Sequence, residues 1–417
     1  MVTYPGAEKP PFRLSMLVYD QRYRSLTLQA IVFILVMLFA SWLIDNTVRN
    51  LAVMGKTFSF DFLFRRAGYD IPQQLIPYTS DDTHLRATVV GLLNTLLVSV
   101  LGCIAATIVG VIAGVLRLSS NWLIARLMTI YVEIFRNVPL LLWILVILAI
   151  FTEVIPAPNA YRGENPQASM ILFDTIAPTN RYTAIPSLAM TNPPGTIALG
   201  REGISWAVIV FAAVLTAAWI AHRRLKAWAQ RIQDATGRRP STWWISLALF
   251  VLPVLLLSWY YGLHLVPPEL RGFNFAGGIN VDNSLVVLWL ALTLYTGAFI
   301  AEIVRAGILA VSKGQTEAAY ALGLRPRRTM SLVILPQALR VIVPPLISQY
   351  LNLTKNSSLA IAVGYMDLRG TLGGTTLNQT GREMECMILM MGIYLALSLI
   401  ISGAMNVFNS RVKLKER

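Results

Sequence analysis

The 417-residue sequence is short of charge, histidine and cysteine, and each shortage excludes a class of function. Asp, Glu, Lys and Arg make up only 13% of it, against about 25% in an ordinary soluble domain. Too few charges remain to clothe a water-facing surface. The two cysteines, Cys103 and Cys386, lie inside or at the start of apolar runs, so no disulfide framework is encoded. His84, His222 and His264 stand far apart and mostly in connectors, without the clustered spacing a metal site needs. No nucleophile-base constellation accompanies them, which speaks against a membrane-embedded enzyme. A glycine-rich loop ending in GK[ST] is also missing, so any ATP chemistry must come from another chain.

What is abundant is apolar sequence, at 55% of residues. Residues 87–116, between Arg86 and Arg117, carry no formal charge, and neither do residues 386–410, between Glu385 and Arg411. Each run exceeds the roughly 20 residues that a helix needs to cross a hydrocarbon core. Eight spans are expected near 26–44, 89–116, 125–151, 203–221, 243–263, 284–306, 336–355 and 386–408. The fold class is therefore all-α, a polytopic membrane protein of about eight transmembrane helices. Two spans are irregular. "EIFRNVP" interrupts the third, and Pro336, Pro344 and Pro345 the seventh, which reads as a proline-broken helix suited to a bundle interior. The first run follows a leader (1–25) with Lys9, Arg13, Arg22 and Arg24; lacking a small-residue cleavage site, it reads as a retained span.

The net charge of +14 does not signal nucleic acid, because the basic residues sit mainly in short connectors between apolar runs. Connector 222–242 has six basic residues against one Asp, and the stretch 313–340 and the tail "RVKLKER" are also basic. An eight-span path places all three beside the N-terminus, on the cytoplasmic side. Connectors 45–88, 152–202, 264–283 and 356–385 are nearly balanced. The longest, with "PAPNAYRGENPQ" and "TNPPGT", reads as an exposed extracytoplasmic loop.

One stretch, "KGQTEAAYALGLRPRRTMSLVILPQAL" (313–339), looks like a soluble helical hairpin set between greasy runs. Helix formers fill 315–322, with Glu317 near the positive helix end. Gly323 suits a left-handed stop, and Pro326 the first turn of a second helix. Ile334, Leu335 and Pro336 lead back towards the bilayer. These features specify a shape; an ordinary capped connector and a docking knob both satisfy them.

"EAAYALGLRPRRTMSLVILP" resembles the EAA loop of ABC importer permeases, with Glu317-Ala318-Ala319, Gly323 and Ile334-Leu335-Pro336 at the family spacing. "GLLNTLLVS" (91–99), "YVEIFRNVPLLL" (131–142), "YTGAFIAEIVRAGILAVSKGQTEAAYALGL" (295–324) and "LPQALRVIVPPLISQYLNLTKNSSLA" (335–360) resemble, in order, the core of the polar amino acid uptake branch. The resemblance implies a five-helix permease domain within 89–408, with coupling loop 307–335. Three helices are additions: 26–44, after which connector 45–88 is periplasmic, and a pair inserted at 203–263. The basic tail, 409–417, is then cytoplasmic. This long form resembles permease subunits of general L-amino-acid importers. Glu317, Ala318, Ala319, Gly323, Leu324 and Arg325 would then couple to an ATPase. The implied partners are a second, non-identical permease, two ATP-binding subunits and a periplasmic amino-acid-binding protein, in a bacterial inner membrane. The cargo is an L-amino acid. No cofactor belongs to this chain, since ATP and Mg would sit on the ATPase.

Ionisable residues inside spans are costly and mark candidate sites. Glu133 and Arg136 are spaced to neutralise each other on one helix face, and Glu302 and Arg305 repeat that spacing before the coupling loop. "NLTKNSSLA" offers Asn352, Thr354, Lys355, Asn356 and Ser357 as a translocation path for a zwitterion. Lys355 either attracts a carboxylate or snorkels to the interface. Asn94 and Thr95 either line the same route or serve helix packing. The competing class is an ion- or proton-coupled secondary transporter, which calls for an acidic pair deep in the bundle.

Overall fold

A computed structural model describes residues 16–163, 166–199 and 202–412. Lys9 and Arg13 of the leader, and Lys413 to Arg417 of the tail, lie outside the described residues. The chain forms two compact units, Met1–Phe62 and Leu63–Arg417. The first is built on α1 (Gln21–Val53), whose apolar window is exposed on every side within its unit. A helix apolar all round is a membrane span.

The second unit carries α2 (His84–Leu116), α3 (Trp122–Asn137), α4 (Leu140–Ala149), α5 (Trp206–Thr236), α6 (Trp243–Tyr260) and α7 (Asn283–Leu309). After α7 come two short helices, α8 (Lys313–Ala321) and α9 (Pro326–Thr329), then α10 (Leu335–Asn356) and α11 (Glu383–Val412). Seven helical runs among the described residues are long and apolar enough to cross a bilayer, or eight if the bent pair α3–α4 is counted as one span. Helix starts follow local chemistry: Asn121 Oδ1 accepts from Leu123 and Ile124 N–H at the head of α3, and Asp282 caps α7.

The interruption expected in the third span is a bend of 107° between Trp122–Asn137 and Leu140–Val154, and one other expectation needs correction. Pro139 forces the corner, because it holds Val138 extended (φ −109°, ψ 134°) and ends α3 there. The seventh span is not broken: Pro326–Val363 is one helical run of 38 residues. Pro336 stands in the first turn of α10, and a π-helical turn at Met330–Ile334 accommodates its missing N–H. Pro344 and Pro345 lie inside α10 but on its exposed face, where their rings displace no packed neighbour.

α7 is the hub. Its Leu288, Leu292, Ile300 and Val304 pack with Val98 and Ala106 of α2, Ile144 of α4, and Ala338 and Ile342 of α10. Small residues let α2 and α7 approach closely. A Cβ at Gly110 would stand 2.6 Å from the Ile300 Cβ, and one at Gly114 2.6 Å from the Ala301 carbonyl oxygen. Gly110→Leu is therefore expected to cost on the order of 1–3 kcal/mol of packing and to lower the melting temperature in detergent. Gly392→Leu, with open space around it, is the matched control and leaves the melt unchanged.

At the start of α7 the two long connectors do not stay loops. They pair into short antiparallel sheets: β1 (Ala177–Pro178), β2 (Tyr182–Ile185) and β9 (Ile279–Asp282) form one, in that order. β3 (Ser187–Met190) pairs with β6 (Leu263–Val266), β4 (Thr196–Leu199) with β5 (Glu202–Ser205), and β7 (Glu269–Arg271) with β8 (Asn274–Ala276). Asn283, first residue of α7, donates to the Thr179 carbonyl at 2.7 Å and so fixes this cap to the hub helix. The opposite end of α7 delivers the chain to α8.

Candidate functional site

Four groups of residues carry chemistry, and α7 and α10 position most of them. The first is the α8–α9 knob. Gly323 adopts φ +76°, so the Leu324 N–H reaches the Ala319 carbonyl at 3.1 Å and Gly323 N–H that of Tyr320 at 2.9 Å, which closes α8 as a Schellman turn. Ala319 and Thr329 are buried between the two helices. Glu317, Ala318 and Arg325 are exposed, and Leu324 is half-buried. Tyr320, Leu322, Met330 and Leu332 are exposed as well, giving the knob an apolar outer face. Gln337 of α10 donates to Gln315 of α8 at 3.3 Å.

A charge node lies directly before the knob. Glu302 of α7 binds Arg305 at 2.8 Å, makes a short contact with Arg117 at the end of α2, and receives Arg136 of α3 at 3.7 Å. The expected Glu133–Arg136 pair is absent among the described residues. α3 packs so that Arg136 faces α7, where it also lies 5.5 Å over the Phe299 ring. Glu133 is left on the exposed side, accepting from Asn137 at 3.2 Å. Arg117 was visible in sequence only as the end of an apolar run.

The third group is the open face of α10. Pro344, Pro345, Ser348, Asn352 and Lys355 are all exposed and recur at helical spacing. Asn356 is half-buried next to them. A stripe carrying an amide, a hydroxyl and an ammonium is a poor face for lipid.

Asn94, Thr95, Thr354 and Ser357 are instead buried and engaged. Asn94 Nδ2 donates to the carbonyls of Gln73 (2.7 Å) and Met366 (2.9 Å), while its buried Oδ1 has no partner among the described residues. Thr95 Oγ1 accepts from Leu368 N–H at 3.0 Å, and Tyr365 OH donates to the Asn94 carbonyl at 3.1 Å. Ser357 donates to the Thr354 carbonyl at 2.8 Å, and Thr354 to that of Tyr350. The bonds of Asn94, Thr95 and Tyr365 hold residues 365–368 against α2, where Gly91 allows the backbone of Asp367 to approach.

Asp367 itself, absent from the sequence reading, is fully buried. It accepts from Gly370 N–H (2.9 Å) and Tyr394 OH (3.3 Å), with no cation in an ion pair among the described residues. Burial pushes its carboxyl up to about 7, against the lowering effect of the hydrogen bonds from Gly370 and Tyr394 and of nearby Arg369. A raised folded-state pKa means that the folded chain holds the proton more tightly than the unfolded one. The stabilisation is then complete below the ordinary carboxylate value and is lost as pH rises to about 7. The melting temperature is expected to fall between pH 4 and pH 7, and Asp367→Asn to flatten that slope.

Residues 106–414 match the family described as "binding-protein-dependent transport system inner membrane component". The chain is 59% identical, over 99% of each chain, to the glutamate/glutamine/aspartate/asparagine transport system permease protein BztB of Rhodobacter capsulatus. It is 44% identical to the general L-amino acid transport system permease protein AapQ of Rhizobium johnstonii, over 97% of this chain and 96% of that one. Identity is also 44% with the putative amino-acid ABC transporter permease protein YhdX of Escherichia coli, over 94% and 95%. With its knob, its hub helix and its seven to eight candidate spans among the described residues, the chain belongs to the family of binding-protein-dependent transport system inner membrane components.

Proposed function

We propose that this chain is the translocation subunit of an ATP-driven, binding-protein-dependent importer of L-amino acids that works by alternating access. One observation supports this above the rest: α9, the second helix of the knob, and the polar face share the single helical run Pro326–Val363. At about 1.5 Å per residue, such a rod carries a displacement at the knob through the whole bilayer. Ser348, Asn352 and Lys355 on its open face would line a hydrated path, closed by a second, non-identical permease. There Lys355 meets the substrate carboxylate, and the hydroxyl and amide groups meet its ammonium. The cargo class follows the names of BztB and AapQ.

Glu317, Ala318, Ala319, Gly323, Leu324 and Arg325 would seat in an ATPase, two copies of which hold ATP and Mg, while this chain needs no cofactor of its own. A periplasmic binding protein would deliver the amino acid at the cap end. The basic connectors favour a bacterial inner membrane with both termini in the cytoplasm.

Purification in mild detergent followed by reconstitution tests the reading. Two ATPase copies and an unlike permease are expected to co-purify, and uptake to require ATP. Uptake by this chain without an ATPase would instead establish the ion- or proton-coupled class. In the complete complex, Lys355→Met is expected to weaken apparent affinity for neutral and acidic amino acids, on the order of tenfold for one lost charge-assisted contact. Unchanged uptake parameters would remove Lys355 from the path.

A further inference from the structure

The inserted hairpin α5–α6 carries a feature that amino acid translocation does not use. α5 has 31 residues, about 46 Å of helix, against a hydrocarbon core of about 30 Å. Its first half is uncharged from Trp206 to Ala221, after which the same helix carries Arg223, Arg224, Lys226 and Arg231. Arg238 and Arg239 follow in the turn to α6. All six cations are exposed, and none is in an ion pair among the described residues. The one acid nearby, Asp234, accepts instead from Gln230 at 3.1 Å.

The cations are arranged with tryptophan. At helical spacing, Trp219, Arg223 and Lys226 share one face of α5, and Arg224, Trp228 and Arg231 share the opposite one. The Arg223 guanidinium lies 4.4 Å over the Trp219 ring. Ala218 and Ala229 are buried between these faces, and His222 meets Ser246 of α6 at 3.0 Å, so the hairpin closes on itself. Trp243 and Trp244 stack at 3.6 Å and stay exposed where α6 begins. No residue in the apolar window of α6 is buried by the rest of the unit. With the hairpin read as a spanning pair, its flanks are open to lipid, and exposed Trp219, Trp228, Trp243 and Trp244 are interleaved with the cations at its charged end.

We propose that the charged end of the α5–α6 hairpin is a binding site for anionic phospholipid, with the two Trp–Arg faces of α5 each taking a head-group phosphate. Clustered cations at the end of a spanning helix attract anionic head groups, and aromatic rings hold the helix at that depth. The inference rests on the hairpin crossing the membrane and not on the identity of the cargo.

The test is lipid retention by the intact, purified complex in native mass spectrometry, with phosphatidylglycerol as the probe and phosphatidylcholine as the neutral control. Brominated phosphatidylglycerol is expected to quench the tryptophans more than brominated phosphatidylcholine does, a comparison that needs no variant. Arg224→Gln/Arg231→Gln, which leaves four of the six cations, is expected to lower the preference by roughly fivefold per charge. Equal retention of the two lipids by the unaltered complex overturns the proposal, as does a preference that survives the double substitution. Loss of the ATPase with the lipid preference intact also overturns it, and reassigns the surface to protein docking. Failure of ATP-driven uptake leaves this outcome untouched, so the two readings fail separately.

Discussion

A chain with Gly323→Pro is expected to insert and fold its spans yet lose ATP-driven uptake by on the order of a hundredfold, as a cost near 3 kcal/mol at the turn implies. Gly323 sits at φ +76°, a conformation closed to proline, and its N–H is bonded to the Tyr320 carbonyl. Substitution therefore breaks both the left-handed stop and one rung of the Schellman turn. α8 would lose its fixed angle to α9, and with it the shape of the outer face carrying Tyr320 and Leu322. Gly323→Ala keeps the N–H and meets only the left-handed penalty of about 1–2 kcal/mol, so a smaller loss, near tenfold, is expected. Glu317→Lys leaves the backbone alone and reverses an exposed charge. Retention of the ATPase on the tagged permease, measured beside uptake in vesicles, separates docking from transmission. Full retention and full uptake in the proline and lysine variants together would show that the knob is a passive connector.

Much of this architecture was written locally in the chain. Spans show in sequence because a helix in lipid must be apolar over a fixed length, which makes α2 and α11 unmistakable. The knob shows because Gly323 and Pro326 act on their own backbone. What stayed hidden depends on helix rotation and on partners distant in sequence. Nothing near Arg136 says that it faces α7 and Glu302 rather than Glu133, three residues away on the same helix. Prolines 344 and 345 suggested a break, because the penalty counted for a proline assumes neighbours on every side, and here both rings lie on an open face. No local pattern singles out Asp367; only its packing against α2, where Gly91 admits its backbone, makes it a buried carboxyl. Polar residues such as Asn94 and Lys355 look alike in sequence, yet one is locked in two carbonyl hydrogen bonds and the other is open.

Removing the Glu302 carboxylate is expected to be the most damaging single change in the bundle. Its replacement by leucine leaves the guanidiniums of Arg117, Arg136 and Arg305 facing one another, with the Arg117 side chain only 8% exposed. An uncompensated buried charge costs about 3–5 kcal/mol. Glu302→Leu should therefore lower the melting temperature in detergent and the yield of assembled complex. The double variant Glu302→Leu/Arg117→Leu is the informative partner. A buried ion pair replaced by apolar residues is often neutral or stabilising, so the melt is expected to recover. Transport is not expected to recover with it, because Glu302 joins the ends of α2, α3 and α7 immediately before the knob, and apolar contacts fix no comparable geometry. Recovery of both stability and ATP-driven uptake would mean that the node only neutralises its own charges, and that α10 alone connects the knob to the path.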